Sequence, residues 1–168
     1  MRGLHIKKTP GQIAAAIALI MLLFAADQLT KWLAANFLKN SPDVVILPGI
    51  FELSYVENTG AAFGIFPGKA FWLAPVSLIA VIILFYLYAG GILSSGRAFP
   101  KNLCLLCLTA GAIGNMSDRI LKGYVVDFFS FSLIHFPVFN LADCYISLAA
   151  IGFCILILTE REDRPEDS

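Results

Sequence analysis

GAIGNMSDRILKGYVVDFFSFSLIHFPVFNLADCY, residues 111–145, sets two aspartates, Asp127 and Asp143, between long apolar segments. Charge is costly there, because an aspartate near the middle of a membrane helix costs roughly 2.5–3.5 kcal/mol on insertion scales. Polar groups in such a position are by default candidates for chemistry or transport. Asn115, Asp118, Arg119 and Asn140 crowd into the same stretch. The plain alternative makes Asp127 a solvated loop residue and Asp143 a charge at a helix N-terminus, where the macrodipole favours it.

Composition says what surrounds this stretch. With 168 residues, 58% hydrophobic content and a mean hydropathy of +0.79, the chain carries more apolar surface than a soluble core of its size would hide. The solvent is therefore lipid, and the reading is one α-helical integral membrane domain over residues 1–168. A formal net charge of +0 implies no polyanionic partner, and there is no nucleic-acid signature.

The pattern predicts four transmembrane helices, at about residues 13–33, 71–93, 102–121 and 141–158, each near the roughly 20 residues that span a bilayer. The first could pass for a signal peptide, with Arg2, Lys7 and Lys8 before an apolar run. A cut after Ala26 would, however, put Phe24 where a small residue is wanted, so the segment reads as a retained helix. In the second, Pro75 falls near the first turn, where its missing N–H does least harm. Between the first two helices, residues 43–57 alternate Phe51, Leu53 and Tyr55 with Glu52 and Ser54 after a Pro48-Gly49 turn signal. This predicts a small β-rich hairpin, too short and polar to span lipid, packed on the helices at the membrane surface. The segment after Lys122 and Gly123 is also strand-like, and the final EREDRPEDS reads as a disordered tail.

Asp27 and Lys31 are four apart on one helical face, which fits either an ordinary ion pair near the exit of the first helix or a place in the site. In the third helix Ala110 and Gly114 allow close packing, while Gly111, Asn115, Asp118 and Arg119 form a polar stripe that should face the bundle interior. Asn140, Asp143 and Ser147 share one side of the start of the fourth. Arg2, Lys7, Lys8, Arg97, Lys101, Arg161 and Arg164 lie on one side of the predicted topology, against Lys39, Lys69 and Lys122 on the other. By the positive-inside rule both termini face the cytoplasm, and Asp127, Asp143, Asn58, Asp27 and Lys31 gather at the outer boundary.

Two carboxylates sharing one proton can hydrolyse a peptide bond without metal or covalent nucleophile, since like charges held close cannot both ionise. One takes a proton from water and the other gives one to the carbonyl oxygen; the residues leave open which does which. The chain has no G-x-S-x-G elbow, no HExxH and no cluster of His ligands, so neither a metal nor another cofactor is expected. Cys104, Cys107, Cys144 and Cys154 read as small hydrophobes, and Cys144 lacks a base, His135 being nine residues upstream and His5 in the N-terminal tail. The rival class is a small proton-coupled transporter or channel using intramembrane carboxylates; it is disfavoured by the lack of inverted repeats or interrupted helices.

The blocks GNMSDR (114–119), VVDFF (125–129) and FNLAD (139–143), with DQLTK (27–31) and NTGAAFG (58–64) upstream, resemble in order and spacing those of the bacterial lipoprotein signal peptidases, the signal peptidase II family. GNMSDR stands for the usual GNLIDR, and Phe136 for a common Trp. The resemblance implies an aspartyl endopeptidase of the bacterial inner membrane that cleaves prolipoproteins on the N-terminal side of a diacylglyceryl-modified cysteine, with its active site near the periplasmic face. It implies Asp127 and Asp143 as the catalytic pair. It places Asn58, Asn115, Arg119 and Asn140 along the site, with Asp27, Lys31, Gly111, Asp118 and Ala142 in the same motifs. Partners so implied are lipid-modified prolipoproteins, membrane lipid and globomycin-like cyclic peptide inhibitors, met by a monomer.

Overall fold

A computed structural model describes residues 7–61, 66–91, 98–134 and 136–162. Parts of two predicted features, the connection at 92–97 and the end of NTGAAFG at 62–64, lie outside the described residues, as do residues 1–6 with His5, residue 65, His135 and the final residues 163–168. Mostly helical, the chain runs α1 (Pro10–Phe37), β1 (Val44–Leu47), β2 (Phe51–Asn58), α2 (Ala70–Ala89), α3 (Ala98–Leu121), β3 (Val125–Ser130) and α4 (Leu141–Glu162), with a 3-10 turn at Ser132–Ile134.

Helix ends follow local chemistry rather than lipid thickness. α1 begins three residues before the expected span because Thr9 and Gln12 form a capping box ahead of Pro10, which needs no N–H partner at the first helical position. α2 stops at Ala89 rather than near residue 93, where Gly90 caps it and Gly91 turns the chain at φ +63°. α3 starts at Ala98, earlier than expected, since Pro100 is tolerated inside a first turn.

Among the described residues, three helices are long and apolar enough to cross a membrane, Pro10–Phe37, Ala70–Ala89 and Leu141–Glu160. α3 is as long but carries Asn102, Lys101, Thr109, Asn115, Asp118 and Arg119. It can hold them because it packs against α1, α2 and α4 together. The outward faces of the other three stay apolar and exposed, as in Met21, Leu22 and Trp32 on α1, Ile79, Ile82 and Ile83 on α2, and Leu148, Ile151 and Ile155 on α4. Those are the faces that lipid would cover.

The expected hairpin is present as β1 and β2, turning at Gly49 (φ +70°), and it gains a third strand. β3 pairs antiparallel with β2, Val56 opposite Asp127 and Asn58 opposite Val125, in the order β1-β2-β3. Strand β1 is exposed along its length, whereas Val125, Val126, Asp127 and Phe128 of β3 are all buried. The reason is packing: Val126 and Phe128 close a small core with Ala34 and Leu38 at the C-terminal end of α1. A second apolar core, Ala16, Ile20, Tyr88, Leu105, Leu106 and Ala110, lies nearer the other end of the bundle. The sheet is thus seated on the helix ends from which the polar residues project.

Candidate functional site

Asp127 reaches the site from the buried strand and Asp143 from the first turn of α4. Asp127 is 2% exposed, and both its oxygens are occupied: Asn58 Nδ2 donates to Oδ2 at 2.9 Å and Asn140 Nδ2 to Oδ1 at 2.6 Å. Pairing with β3 puts Asn58, at the end of β2, beside it. Asp143 is held by its own helix start. The Asp143 N–H donates to Asn140 Oδ1 at 3.0 Å and the Asn140 N–H donates back to Asp143 Oδ2 at 3.2 Å, the reciprocal pattern of a capping box with Asn and Asp in its two places. Asn115 Nδ2 donates to the remaining oxygen, Oδ1, at 2.8 Å. Asn140 therefore touches both aspartates, which no spacing rule had required.

Behind the pair lies a network of fully buried charge. Lys31 Nζ stands 2.9 Å from Asp27 Oδ2 and 3.2 Å from Asp118 Oδ2, all three side chains having no exposed surface. It also donates to Asn115 Oδ1 at 3.0 Å. Asp27 Oδ1 accepts the Ala142 N–H at 2.9 Å, tying α1 to the start of α4. Asp118 Oδ2 accepts the Val126 N–H at 3.3 Å and Oδ1 accepts from Lys122 at 2.8 Å, tying α3 to β3. The ordinary ion pair near the helix exit that spacing allowed for Asp27 and Lys31 is instead part of an interior network that also holds Asp118 and Asn115. Removing one partner from a buried set of this kind costs about 3–5 kcal/mol.

Two glycines let these groups approach. A Cβ at Gly111 would stand 2.6 Å from the Ala142 carbonyl oxygen and 2.7 Å from Ile146 Cγ1, so α3 and α4 meet there backbone to backbone. A Cβ at Gly114 would stand 2.5 Å from Asp27 Oδ2, so this member of the small-residue pair makes room for a carboxylate, while Ala110 sits in the apolar core. Ala142, with no exposed surface, fills the space between.

Asn58, Asn115, Arg119, Asp127 and Asp143 line one cavity of about 660 Å³. Its other walls are apolar or small: Val76, Ser77 and Ala80 of α2, Ala112 of α3, Ile146 and Leu148 of α4, and Phe131, Phe136, Pro137 and Phe139 of the segment between β3 and α4. Arg119 also lines it, donating to the Gly60 carbonyl at 3.2 Å and to the Asn115 carbonyl at 3.4 Å, while its Nε is buried with no partner among the described residues. Cys144 lines the cavity as well, half-buried beside Asp143. Of the residues singled out in the sequence, Asp27, Lys31, Gly111, Asp118, Asn140 and Ala142 stand behind this wall rather than on it.

Sequence reasoning missed the phenylalanine wall and the Gly60 carbonyl. Only the N-x-x-D spacing of Asn140 and Asp143 offered a signal for the capping box. Burial pushes the Asp127 carboxyl up to about 6, helped by the charge of Asp143 and opposed by the Asn58 and Asn140 amides. The arrangement is a pair of carboxylates held by uncharged amides, in an apolar cavity, with one member that keeps its proton to higher pH than an ordinary aspartate.

Residues 19–159 match the family model described as signal peptidase (SPase) II. The chain is similar to the lipoprotein signal peptidase of Clostridium tetani, 39% identical over 90% of this chain and 96% of that one. It is also similar to the lipoprotein signal peptidase of Trichormus variabilis, 41% identical over 92% and 90%. A bacterial membrane enzyme solved by the in meso method at 2.3 Å superposes with a TM-score of 0.82 at 29% identity, covering 98% of each chain. With the match running through both aspartates and every block of the polar network, the chain belongs to the signal peptidase II family.

Proposed function

We propose that this protein is an intramembrane aspartyl endopeptidase that removes the signal peptide from prolipoproteins, cutting N-terminal to a diacylglyceryl-modified cysteine. The observation that carries it is the placement of Asp127 and Asp143 on one apolar cavity, both hydrogen-bonded to Asn140. The relatives' name supplies the substrate class.

In this reading Asp127, whose carboxyl sits at about 6, holds the shared proton and donates it to the scissile carbonyl oxygen. Asp143, the other carboxylate on the cavity, accepts the proton of the attacking water. When the tetrahedral intermediate collapses, the proton on Asp143 passes to the leaving amine and Asp127 recovers its own. Arg119 and Asn58, which line the same cavity, hold the peptide backbone of the substrate. A globomycin-like cyclic peptide would compete for the same cavity.

The membrane arrangement belongs to the same proposal. The chain is one domain with four spans, α3 being the shielded one, and acts as a monomer in the bacterial inner membrane. Both termini face the cytoplasm, and the sheet and cavity lie near the periplasmic surface. A diacylglyceryl group that stays in the bilayer, at about 0.8 kcal/mol per buried methylene, then holds the adjacent peptide bond at the depth of the aspartates.

The test compares lipidated and unlipidated forms of one precursor with purified protein in the same bilayer, with and without EDTA. Cleavage of the lipidated form alone, unchanged by EDTA, is expected. Equal rates on the two substrates would remove the lipid-anchoring claim, and loss with EDTA restored by zinc would remove the two-aspartate mechanism.

A further inference from the structure

We propose that Lys31 is a positioning residue for hydrolysis, fixing which way the Asn115 amide faces and so presenting Asp143 as the proton acceptor. The inference rests on the peptidase reading and adds a role for the buried cation behind the pair.

Asn115 stands at a junction. Its Oδ1 accepts from Lys31 Nζ at 3.0 Å and from Asn140 Nδ2 at 3.2 Å, and its Nδ2 donates to Asp143 Oδ1 at 2.8 Å. A flipped amide would set its NH2 against an ammonium and another NH2, and its oxygen against a carboxylate. Every contact would then pair like with like. Asn140 alone does not decide the matter, because its amide can turn too, whereas the ammonium offers only donors. Lys31 is itself unable to turn away, held by Asp27 and Asp118 with no exposed surface. The positive charge two links from Asp143 thereby keeps an N–H donor on it.

Among the described residues, the charged and titratable groups around the pair come from four elements: Asp27 and Lys31 of α1, Asp118 and Arg119 of α3, Asp127 of β3, and Cys144 next to Asp143 on α4. The part of α2 that lines the cavity, Val76, Ser77 and Ala80, contributes none. Lys122 supplies a control: it pairs with the other oxygen of Asp118 at 2.8 Å and is 33% exposed, with no contact to Asn115. Loss of the Lys31 cation removes both a nearby positive charge and the lock on Asn115, and each change disfavours the ionised form of the pair. Both limbs of the pH–rate profile should therefore move to higher pH.

The experiment measures pH profiles of kcat and KM for wild type, Lys31→Met, Asn115→Asp and Lys122→Met. Carboxyl titration by 13C NMR of Asp-labelled protein is run alongside and needs no substrate. Lys31→Met should lower kcat by about 100-fold with KM changed far less, and raise both limbs by about one pH unit. Asn115→Asp keeps the shape and the acceptor toward Lys31 but puts an acceptor against Asp143, and should shift the limbs the same way. Lys122→Met should leave them in place. If Lys31→Met does not fold, Asn115→Asp decides. Unmoved carboxyl titrations in a folded Lys31→Met or Asn115→Asp protein, or an equal shift in Lys122→Met, would overturn the proposal. If wild type fails to cut lipidated precursor while the Lys31→Met or Asn115→Asp titrations still shift, the peptidase reading falls instead.

Discussion

Near Ala16, Ile20, Leu106 and Ala110 the helices α1 and α3 meet through small and aliphatic side chains; further along, at Asp27, Lys31, Asn115 and Asp118, they meet through buried charge. In lipid the first contact gains nothing from excluding water, so it depends on shape. The second depends on each polar atom having its partner, because lipid cannot replace one. Shape tolerates small change, and a closed polar network does not. The contrast explains why one end of the bundle serves as scaffold and the other can hold two carboxylates at fixed positions, and it says where substitutions should hurt.

The largest effect is expected at the pair itself. Asp127→Asn and Asp143→Asn preserve shape, set an NH2 against one of the two N–H donors and cannot carry the proton, so each should lower kcat by about 10³-fold or more while the protein stays folded in detergent. Robust turnover by either variant takes that residue out of the chemistry.

The pH dependence comes next. If Asp127 must be protonated, kcat/KM falls as the pH rises through its pKa of about 6 in the free enzyme. The Asn58 amide opposes that upward shift, so Asn58→Ala should move the alkaline limb further up. A limb that moves down, or a flat profile from pH 5 to 8, would exclude Asp127 as the acid.

Glycines test the two kinds of contact directly, because α3 and α4 touch at both ends. Gly111→Ala drives a Cβ to 2.6 Å from a backbone oxygen that cannot yield, and should cost about 1–3 kcal/mol of stability and activity with it. At the scaffold end a Cβ at Gly152 meets only Cys104 Sγ at 3.6 Å, an ordinary contact, so Gly152→Ala should fall within about 0.5 kcal/mol of wild type. Thermal unfolding in one detergent decides between them. The reverse order would mean that the polar end is the more plastic.

The smallest effect is expected at Cys144, which lines the cavity with no hydrogen-bonding base among the described residues. Cys144→Ala should retain most of the activity, and loss of chemistry in a folded variant would bring thiol catalysis back.

Periodicity and composition by themselves determined the helices, the hairpin at Pro48-Gly49 and the singling out of Asp127 and Asp143, since apolar runs of span length and charges between them are local facts. The ends of α1 and α2 differed by a few residues because caps, not lipid thickness, set them. What only the tertiary structure decided is who meets whom. That β3 joins β2, that Asn140 bridges both aspartates, that Gly114 faces Asp27, and that Lys31 is an interior ion all depend on contacts between residues dozens of positions apart. No helical or strand period carries that information. The sequence supplies polar atoms that lipid will not solvate, and the fold is the arrangement in which nearly all of them find one another.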